Sequence, residues 1–345
     1  MMPTAQVVMF MNVPIRLLAI VTSLATTIDA GAQRRSFVNL SGLEYNGGKS
    51  DAQIFRDYVP PSEATWAATK AAKFQGARLP VSMERLQPDP AKARLGRLNE
   101  GYAKEVVDAA KRGQAAGLRV IVDLHNFGQY WGNDIDRTSA EPTQDIRPMY
   151  LGIVSALATR LQAAGIWGFE LGNEPKNLDP ARCRSVMQDA VSTARRAGYR
   201  GTLFVPSAWW SSAQNGINCV VKDPRDNWVQ DVHAYGDQDN SGTYKRGFAA
   251  DGVTHDTIVD RVRPAVEQAK ARRVRVFVGE AGVPLADVNR RQQIIRLSRY
   301  LAANKVDWAY WTAGEWSKND ANSLQSALTD RDKAAQLSAI PTDRD

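Results

Sequence analysis

The chain has 345 residues, of which 43% are hydrophobic, so it can bury a core large enough for one α/β barrel or two smaller domains. Its 44 basic and 37 acidic residues give a net charge of +7 and are spread along the chain, without a basic run interleaved with aromatics. This pattern argues against nucleic-acid binding, whereas a basic surface still suits an acidic polymer.

The N-terminal residues have the features of a signal peptide. Arg16 precedes the apolar run Leu17-Leu-Ala-Ile-Val21, and Ala30-Gly-Ala32 is a small-residue cleavage pattern. Polar residues interrupt the apolar run before it reaches the about 20 residues that a membrane anchor needs. We therefore expect residues 1–32 to be a signal peptide and residues 33–345 to be a secreted or periplasmic protein without a membrane span.

The cysteines and histidines limit the cofactor chemistry. Cys183 and Cys219 form an even pair, which in an exported protein is compatible with one disulfide, but the sequence leaves their pairing open. Two cysteines are too few for a zinc cluster or an iron–sulfur centre. The three histidines show no paired metal-ligand spacing. We predict no metal site and no cofactor.

The chain beyond the signal peptide alternates apolar strands with helices. Strands are predicted at residues 37–45, 76–81, 119–126, 166–175, 201–210, 228–235, 275–282 and 306–314. Helices are predicted at residues 62–74, opening with a capping serine, 99–116, 148–164, 180–197, 254–272, 287–303 and 323–337, with none clear after the fifth strand. This alternation predicts a (β/α)₈ TIM barrel that forms a single catalytic domain.

A doubly wound open sheet is the alternative fold for such an alternation. It usually carries a glycine-rich phosphate turn after its first strand. Residues 42–50 end in Gly-Lys-Ser, but Leu43 stands where that turn needs its first glycine. We therefore interpret residues 42–50 as a loop and prefer the barrel.

Polar and aromatic residues collect at the C-terminal ends of the predicted strands, where barrel enzymes have their active sites. They are Arg78, His125, Asn126, Asn173, Glu174, Trp209, His233, Tyr235, Glu280 and Trp311. Glu174 and Glu280 each end an apolar strand, where a carboxylate is unfavourable unless the strand tip opens into a site. Two carboxylates, hydrogen-bonding groups for hydroxyls and flat aromatic faces are the set that a glycosidase uses.

Asp123 and the tryptophans other than Trp311 are expected to divide between structural roles and sugar binding. Trp66 and Trp167 are expected to pack in the core or against helices, and Asp123 to be a structural hydrogen-bonder. Four tryptophans follow strand ends and are candidate platforms for sugar rings: Trp131, Trp209, Trp210 and Trp316. Several platforms in a row indicate internal cleavage of a long chain.

The chain from about residue 37 to residue 316 resembles glycoside hydrolase family 5, and within it the fungal-type endoglucanase branch. The segments that carry the resemblance are Arg78-Leu-Pro, Glu84-Arg-Leu-Gln-Pro88, Asp123-Leu-His-Asn-Phe-Gly-Gln-Tyr130, Asn173-Glu-Pro, His233-Ala-Tyr, Asp237-Gln-Asp-Asn-Ser-Gly-Thr243, Gly279-Glu280 and Trp308-Ala-Tyr-Trp-Thr-Ala-Gly314. Each segment is weak alone, but their order and strand positions together are specific. One departure is Ala281, where many relatives carry an aromatic residue.

The resemblance implies a role for each matched residue. Glu174 would be the acid/base and Glu280 the nucleophile. Arg78 and Tyr235 would keep the nucleophile ionised. The other matched residues would contact the sugar: Asn173 through the 2-hydroxyl, His125 and His233 as lining, and Trp311 as the floor.

We therefore predict a retaining endo-β-1,4-glucanase that acts as a monomer on a β-linked polysaccharide. A related substrate remains open, namely a mannan, a mixed-linkage glucan or a bacterial exopolysaccharide. The alternative from another class is a non-catalytic sugar-binding barrel. The presence of both carboxylates together with Arg78 and Tyr235 argues against it, because binding alone would not require them.

Overall fold

The computed structural model describes Met1, residues 35–49 and residues 51–340. The chain divides into two units, residues 1–32 and 33–345, and every feature below belongs to the second. The predicted signal peptide lies outside the described residues, except for Met1, and stays a prediction.

Eight parallel strands form a closed barrel: β1 (Arg35–Leu40), β2 (Phe74–Val81), β3 (Arg119–Leu124), β4 (Gly168–Glu170), β5 (Thr202–Pro206), β6 (Trp228–His233), β7 (Val276–Ala281) and β8 (Trp308–Ala313). Their order around the barrel is β1-β8-β7-β6-β5-β4-β3-β2, which confirms the predicted TIM barrel. A small antiparallel hairpin after β3 pairs Gln129–Tyr130 with Asn133–Asp134.

Within the described ranges, six long helices accompany the barrel strands: α1 (Glu63–Ala71), α2 (Glu100–Ala115), α3 (Ile146–Ala163), α4 (Pro180–Arg196), α5 (Thr257–Arg272) and α6 (Val288–Ala303). Shorter α-helices cover Met83–Leu86, Pro90–Arg94, Phe248–Asp251 and Gln325–Thr329, and 3₁₀ turns cover Pro142–Gln144, Ala213–Asn215, Ser317–Asn319 and Arg331–Ala339. Ser62 caps α1 as predicted, since its side chain accepts a hydrogen bond from the Thr65 amide.

Three predicted elements differ from the structure by five residues or more at one end. The strands at 37–45 and 166–175 are shorter, because β1 ends at Leu40 and β4 at Glu170, after which the chain turns into the barrel mouth. The helix predicted at 323–337 is α-helical only over Gln325–Thr329, and a 3₁₀ turn follows it. Threonine and aspartate favour helices poorly, so the run Thr329-Asp-Arg-Asp332 ends this helix.

The barrel interior is apolar at its N-terminal end and polar toward its C-terminal end. Phe37, Phe204 and Phe277 are buried with Ile121, Val229 and Ala309 in one cluster, and Trp167 stacks on Phe37 with ring centroids 5.7 Å apart. Trp66 is only 1% exposed in the main core, so both tryptophans are packing residues as expected. The polar end of the interior supports the site described below.

Two further expectations concern a membrane span and the pairing of the cysteines. None of the helices in the described ranges combines the length and apolarity that a bilayer crossing requires. Cys183 and Cys219 are both buried and carry no disulfide in the structure.

Candidate active site

Glu174 and Glu280 lie together at the C-terminal mouth of the barrel. Glu280 is in β7, where it pairs with His233 of β6 at a shift in strand register. Glu174 follows β4 in an irregular segment, with a backbone φ of +42° that a residue with a side chain seldom adopts. One oxygen of each carboxyl group and a ring nitrogen of His233 all lie within 4.8 Å of one another. Strained backbone held in place at such a point is typical of functional sites.

Glu280 is held as a carboxylate. Arg78 Nη1 donates to its Oε1 at 3.0 Å, and the Tyr235 hydroxyl donates to its Oε2 at 2.6 Å. Burial alone would raise the pKa of Glu280, but the charges of His233 and Arg78 and the bond from Tyr235 outweigh it, so the pKa lies below the ordinary value. The pKa of Tyr235 is raised well above its usual range by burial and by the charge of Glu280, so it stays a donor. Both predicted supporters of Glu280 therefore contact it.

Glu174 has the opposite electrostatic setting. Burial raises its pKa, a hydrogen bond from His233 lowers it, and the charge of Glu280 raises it again, so that the net shift is upward. Nδ1 of His233 lies 2.7 Å from Glu174 Oε1. The side chain keeps 15% of its surface exposed to the mouth. A carboxyl group in this setting can hold a proton nearer neutral pH than its neighbour can.

Asp231 lies beneath His233 in the barrel. Its Oδ2 is 2.8 Å from His233 Nε2, and neither of its oxygens completes a hydrogen bond with the described residues, so the contact is an ion pair. Burial alone would lower the pKa of His233, but Glu280 and Asp231 raise it well above the ordinary value. A Cβ on Gly279 would lie 2.2 Å from Asp231 Oδ1, so only glycine fits there. His233 is therefore an imidazolium facing carboxylates on both sides.

Arg78 is fully buried and ties several strands to the site. It donates to both oxygens of Glu170 at 2.6 and 3.1 Å, and its Nη2 lies 3.0 Å from Asp123. It also donates to Oδ1 of Asn173 at 2.7 Å and to Oδ1 of Asn39 at 3.0 Å. Because this guanidinium is satisfied on every side, it is fixed in position for its contact with Glu280.

Sequence reasoning missed Asn39, Glu170 and Asp231 as parts of this network. All three are fully buried polar residues within apolar strands. Their signal was present in the sequence, because a polar residue inside a buried strand requires a partner. Burial and the charges of Asp231 and Asp123 raise the pKa of Glu170 well above its ordinary value, against the lowering effect of Arg78.

His125 and Trp311 form the facing wall of the mouth. Their rings are stacked with centroids 5.5 Å apart and an interplanar angle of 14°. Asp123 holds the imidazole through a contact of 2.8 Å between its Oδ2 and Nδ1, the structural role expected of it. His125 Nε2 lies 3.5 Å from Nδ2 of Asn173, so the three predicted sugar contacts are adjacent.

The other predicted site residues are placed differently. Asn126 is 5% exposed and its Oδ1 accepts from the Gly128 amide, so it shapes a turn behind the mouth. Trp131 is half-buried, and its backbone amide donates to Glu84. Three indoles are open to solvent, namely Trp209 at 45%, Trp210 at 50% and Trp316 at 37%. Phe127, which the sequence did not single out, is 38% exposed and packs edge-on against Trp210.

Two groups of ligand atoms in the site are close enough for a cation. One is Glu174, His233 and Glu280, and the other is Glu170, Asp231 and His233. In both groups the carboxyl groups already face the His233 imidazolium. Its positive charge balances their negative charge, as a bound cation would. The expectation of no metal and no cofactor stays a prediction.

Several proteins are similar to this chain. Endo-beta-1,4-glucanase A of Emericella nidulans is 23% identical over 287 residues, which cover 81% of this chain and 82% of that protein. A probable endo-beta-1,4-glucanase B of Neosartorya fischeri is 27% identical over 291 residues, 81% and 83% of the two chains.

Solved structures show the same fold. Pseudomonas stutzeri endoglucanase Cel5A in complex with cellobiose superposes with a TM-score of 0.80 at 23% identity, covering 91% of this chain and 94% of that one. An endo-beta-1,4-glucanase of Xanthomonas axonopodis superposes with a TM-score of 0.77 at 25% identity, covering 89% of this chain and 98% of that one. The family model for cellulase (glycosyl hydrolase family 5) matches residues 31–317. With the barrel, this match shows that the chain belongs to glycoside hydrolase family 5, a family of retaining enzymes.

Proposed function

We propose that this protein is an exported endo-β-1,4-glucanase that cleaves a β-linked polysaccharide by double displacement. The observation that supports it most is the pair Glu174 and Glu280. Their nearest oxygens lie within 4.8 Å and their pKa values are shifted in opposite directions. Retaining glycosidases need carboxyl groups about 5–5.5 Å apart, whereas inverting enzymes leave about 6.5–9.5 Å for a water.

In the first step Glu280 attacks the anomeric carbon while Glu174 protonates the departing glycosidic oxygen. Arg78 and Tyr235 keep Glu280 deprotonated before the attack, because each donates a hydrogen bond to a different oxygen. In the second step Glu174, now a carboxylate, removes a proton from water while the water oxygen forms a bond to the anomeric carbon. The bond from that carbon to Glu280 breaks, and Glu280 leaves as a carboxylate. The imidazolium of His233 stabilises Glu174 in the charged form that the second step requires.

Internal cleavage is favoured by the aromatic residues at the two ends of the mouth. Trp209 and Trp210 follow β5, while Trp316 follows β8 and stacks on Tyr45 with centroids 6.3 Å apart. Flat apolar faces on both sides of the carboxylates suit a chain that continues in both directions. The names of the similar fungal and bacterial proteins support the glucan as substrate.

Export is proposed from the N-terminal sequence. The basic residue, apolar run and small-residue site of residues 16–32 have the order of a signal peptide. A polymer too large to cross a membrane also has to be cleaved outside the cell. Both arguments support our proposal that the mature protein acts in the periplasm or the medium.

The test is release of reducing sugar from a panel of polysaccharides, with mass analysis of the products. The panel contains a β-1,4-glucan, a mixed-linkage glucan, a mannan and an acidic exopolysaccharide, and Glu280→Gln protein is the control. Release from the β-1,4-glucan supports the proposal. Release from another polysaccharide of the panel alone would mean that the protein is a glycoside hydrolase with a different substrate. If wild-type protein releases reducing sugar from none of them, the proposal is contradicted.

A further inference from the structure

A cavity separate from the mouth opens at the N-terminal end of the barrel. Its volume is about 440 Å³, which is within the range of pockets that hold small organic ligands. Its lining residues lie near the starts of the barrel strands, for example Phe37 in β1, Trp167 before β4 and Asp307 before β8. Since a six-residue strand such as β1 spans roughly 20 Å, the cavity lies about the height of the barrel away from Glu174 and Glu280.

Apolar side chains form much of the cavity wall. Phe204 and Phe277 line it from the barrel interior and are each only 2% exposed. Val274, Val276 and Val306 also line it and are only partly buried, so they leave apolar surface open to a ligand. An apolar body placed here would be stabilised, because that surface would be removed from water.

Five exposed basic side chains surround the same cavity, against one carboxylate from Asp307. Within the described ranges, no ion pair to a carboxylate joins any of the five. Their uncompensated charges make the entrance positive, and a positive concave surface attracts anions. The five cations are Arg119, Lys270, Arg273, Arg275 and Lys305.

Two of these cations are held in place by neutral partners. Arg275 donates to the carbonyl oxygen of Trp228 at 2.8 Å, and Lys270 donates to Oδ1 of Asn304. Neither partner carries a charge, so both cations keep their full charge beside the cavity. They provide fixed positive charge without any change of conformation on binding.

Two other cations have free donors. Arg273 and Lys305 make no side-chain hydrogen bond or ion pair with the part of the chain that the structure describes. Arg273 follows α5 and precedes β7, whereas Lys305 follows α6 and precedes β8. Because β7 and β8 are neighbours in the barrel, the two cations belong to adjacent loops of the cavity rim. Both can donate charge-assisted hydrogen bonds to one anionic group.

The aromatic residues of this cavity are unsuited to a sugar chain. Phe37 stacks on the Trp167 indole with ring centroids 5.7 Å apart, and the guanidinium of Arg119 lies 5.2 Å from the centroid of that indole. Partners in the protein therefore already cover the ring that a sugar would need as a platform. An inorganic anion would in turn leave the partly buried valines in contact with water.

We propose that this cavity binds a small carboxylate with an apolar body, either an arylalkanoate or a medium-chain alkanoate. The apolar body contacts the valines and phenylalanines of the wall. The carboxylate accepts hydrogen bonds from Arg273 and Lys305, and the fixed charges of Lys270 and Arg275 add to the attraction. The site shares no residue with the proposed hydrolase and does not depend on it.

The experiment is a ligand-observed NMR titration of wild-type protein at low ionic strength with four probes. 3-Phenylpropanoate and octanoate have the proposed chemistry, with an aromatic and an alkyl body. 3-Phenylpropanamide lacks the charge and should bind roughly fivefold or more weakly than the matching carboxylate. Acetate lacks the apolar body and should bind roughly tenfold or more weakly. The tighter of the two carboxylates identifies the kind of body that the wall accepts.

Single variants locate the site. Arg273→Gln and Lys305→Gln should each weaken binding of the tighter carboxylate by roughly two- to fivefold. Lys73→Gln is the matched control, because Lys73 follows α1 with the same left-handed backbone, at a φ of +66° against +55° and +56°, but does not line the cavity. Trp209→Ala removes an exposed indole at the mouth, and both controls should bind the carboxylate as wild-type protein does.

Each other outcome overturns the proposal. Absence of binding by both carboxylates up to their solubility limits removes the site, and equal binding of the amide removes the role of the cations. Weaker binding in Trp209→Ala with unchanged binding in Arg273→Gln would place the ligand at the mouth. A lower Tm with unchanged binding in the three cation variants would mean that these side chains serve only the C-terminal ends of their helices. Release of reducing sugar should be equal in Arg273→Gln and wild-type protein, so a failure of the hydrolase proposal is seen separately.

Discussion

Asp231 lies directly beneath His233, with 2.8 Å between Oδ2 and Nε2. The other ring nitrogen of His233 faces Glu174 at 2.7 Å and Glu280 at 3.6 Å. Glu280 and Asp231 together raise the pKa of His233 against the effect of burial, and His233 in turn lies against both catalytic candidates. The pH dependence of the enzyme should reveal this arrangement.

Wild-type protein should show a bell-shaped profile of kcat/KM against pH. Activity needs Glu280 ionised and Glu174 protonated, so it falls on the acid side as Glu280 gains a proton and on the alkaline side as Glu174 loses one. In Asp231→Asn the pKa of His233 should fall, because one of the charges that raises it is gone. Loss of the imidazolium removes a group that lowers the pKa of Glu280 and Glu174.

Both limbs of the Asp231→Asn profile should therefore move to higher pH. Initial rates measured across the pH range on a soluble substrate would show this. Asp223→Asn is a suitable control, since Asp223 pairs with Arg195 outside the mouth. A profile of unchanged shape and position, with only a lower maximum, would mean that Asp231 is structural.

The two carboxylates should respond differently to substitution. Glu280→Gln should be inactive on all substrates, because no ester can form. Glu174→Ala should lose roughly 10²–10⁴-fold on polysaccharide but retain activity on aryl glycosides, whose leaving groups need no proton. Added azide should speed Glu174→Ala and give a β-glycosyl azide, detectable by proton NMR. The α-anomer as first product from wild-type protein would contradict retention.

Trp311→Ala should lower turnover strongly and leave the fold intact. Trp311 stacks on His125 at the mouth and is partly exposed. Its loss should therefore disturb the sugar site and leave the packing of the core largely unchanged. Trp66→Ala is the matched control, since Trp66 is 1% exposed and its loss should cost about 3–5 kcal/mol of stability. Thermal unfolding and kcat measured on both variants separate the two roles. A large fall in Tm with normal turnover for Trp311→Ala would place it in the core.

The exported protein should begin at Gln33. The cleavage pattern at residues 30–32 follows the apolar run at the distance of a signal-peptide site. N-terminal sequencing of protein recovered from the periplasm or medium checks this. An intact N-terminus at Met1 or Met11 on exported protein would show that the segment is retained.

The viscosity of a soluble β-glucan should fall faster than reducing ends appear. Internal cuts shorten a long chain at once, whereas cuts from an end remove small sugars with little change in length. The indoles at both ends of the mouth are the structural reason for expecting internal cuts. If glucose or cellobiose is the sole early product, the enzyme acts from chain ends.

The barrel and its principal helices could be predicted from the sequence because apolar periodicity and capping residues act locally. Strand β7, for example, was predicted at 275–282 and lies at Val276–Ala281. The turns after β4 and β5 could not be predicted, since the left-handed backbone at Glu174, Trp209 and Trp210 is imposed by packing between strands. No local pattern predicts such a conformation for residues with large side chains.

The site was predictable where residues end strands and less so where they lie inside the barrel. Arg78, Tyr235 and Glu280 could be grouped because strand ends converge at one face. Asp231 lies inside β6, and Glu170 ends β4 but stands in the middle of the strand predicted at 166–175, so the partners of both depended on the register between neighbouring strands. Their roles could be recognised only from their distances to His233 and Arg78 in the structure.

The Arg78 network makes catalysis and folding inseparable in this protein. One guanidinium joins side chains from β1, β3, β7 and the β4 segment, and all of these partners are buried. Releasing any one partner would leave an uncompensated charge or polar group in the barrel. The catalytic centre therefore cannot loosen ahead of the scaffold, and heat inactivation should coincide with the cooperative melting of the whole barrel.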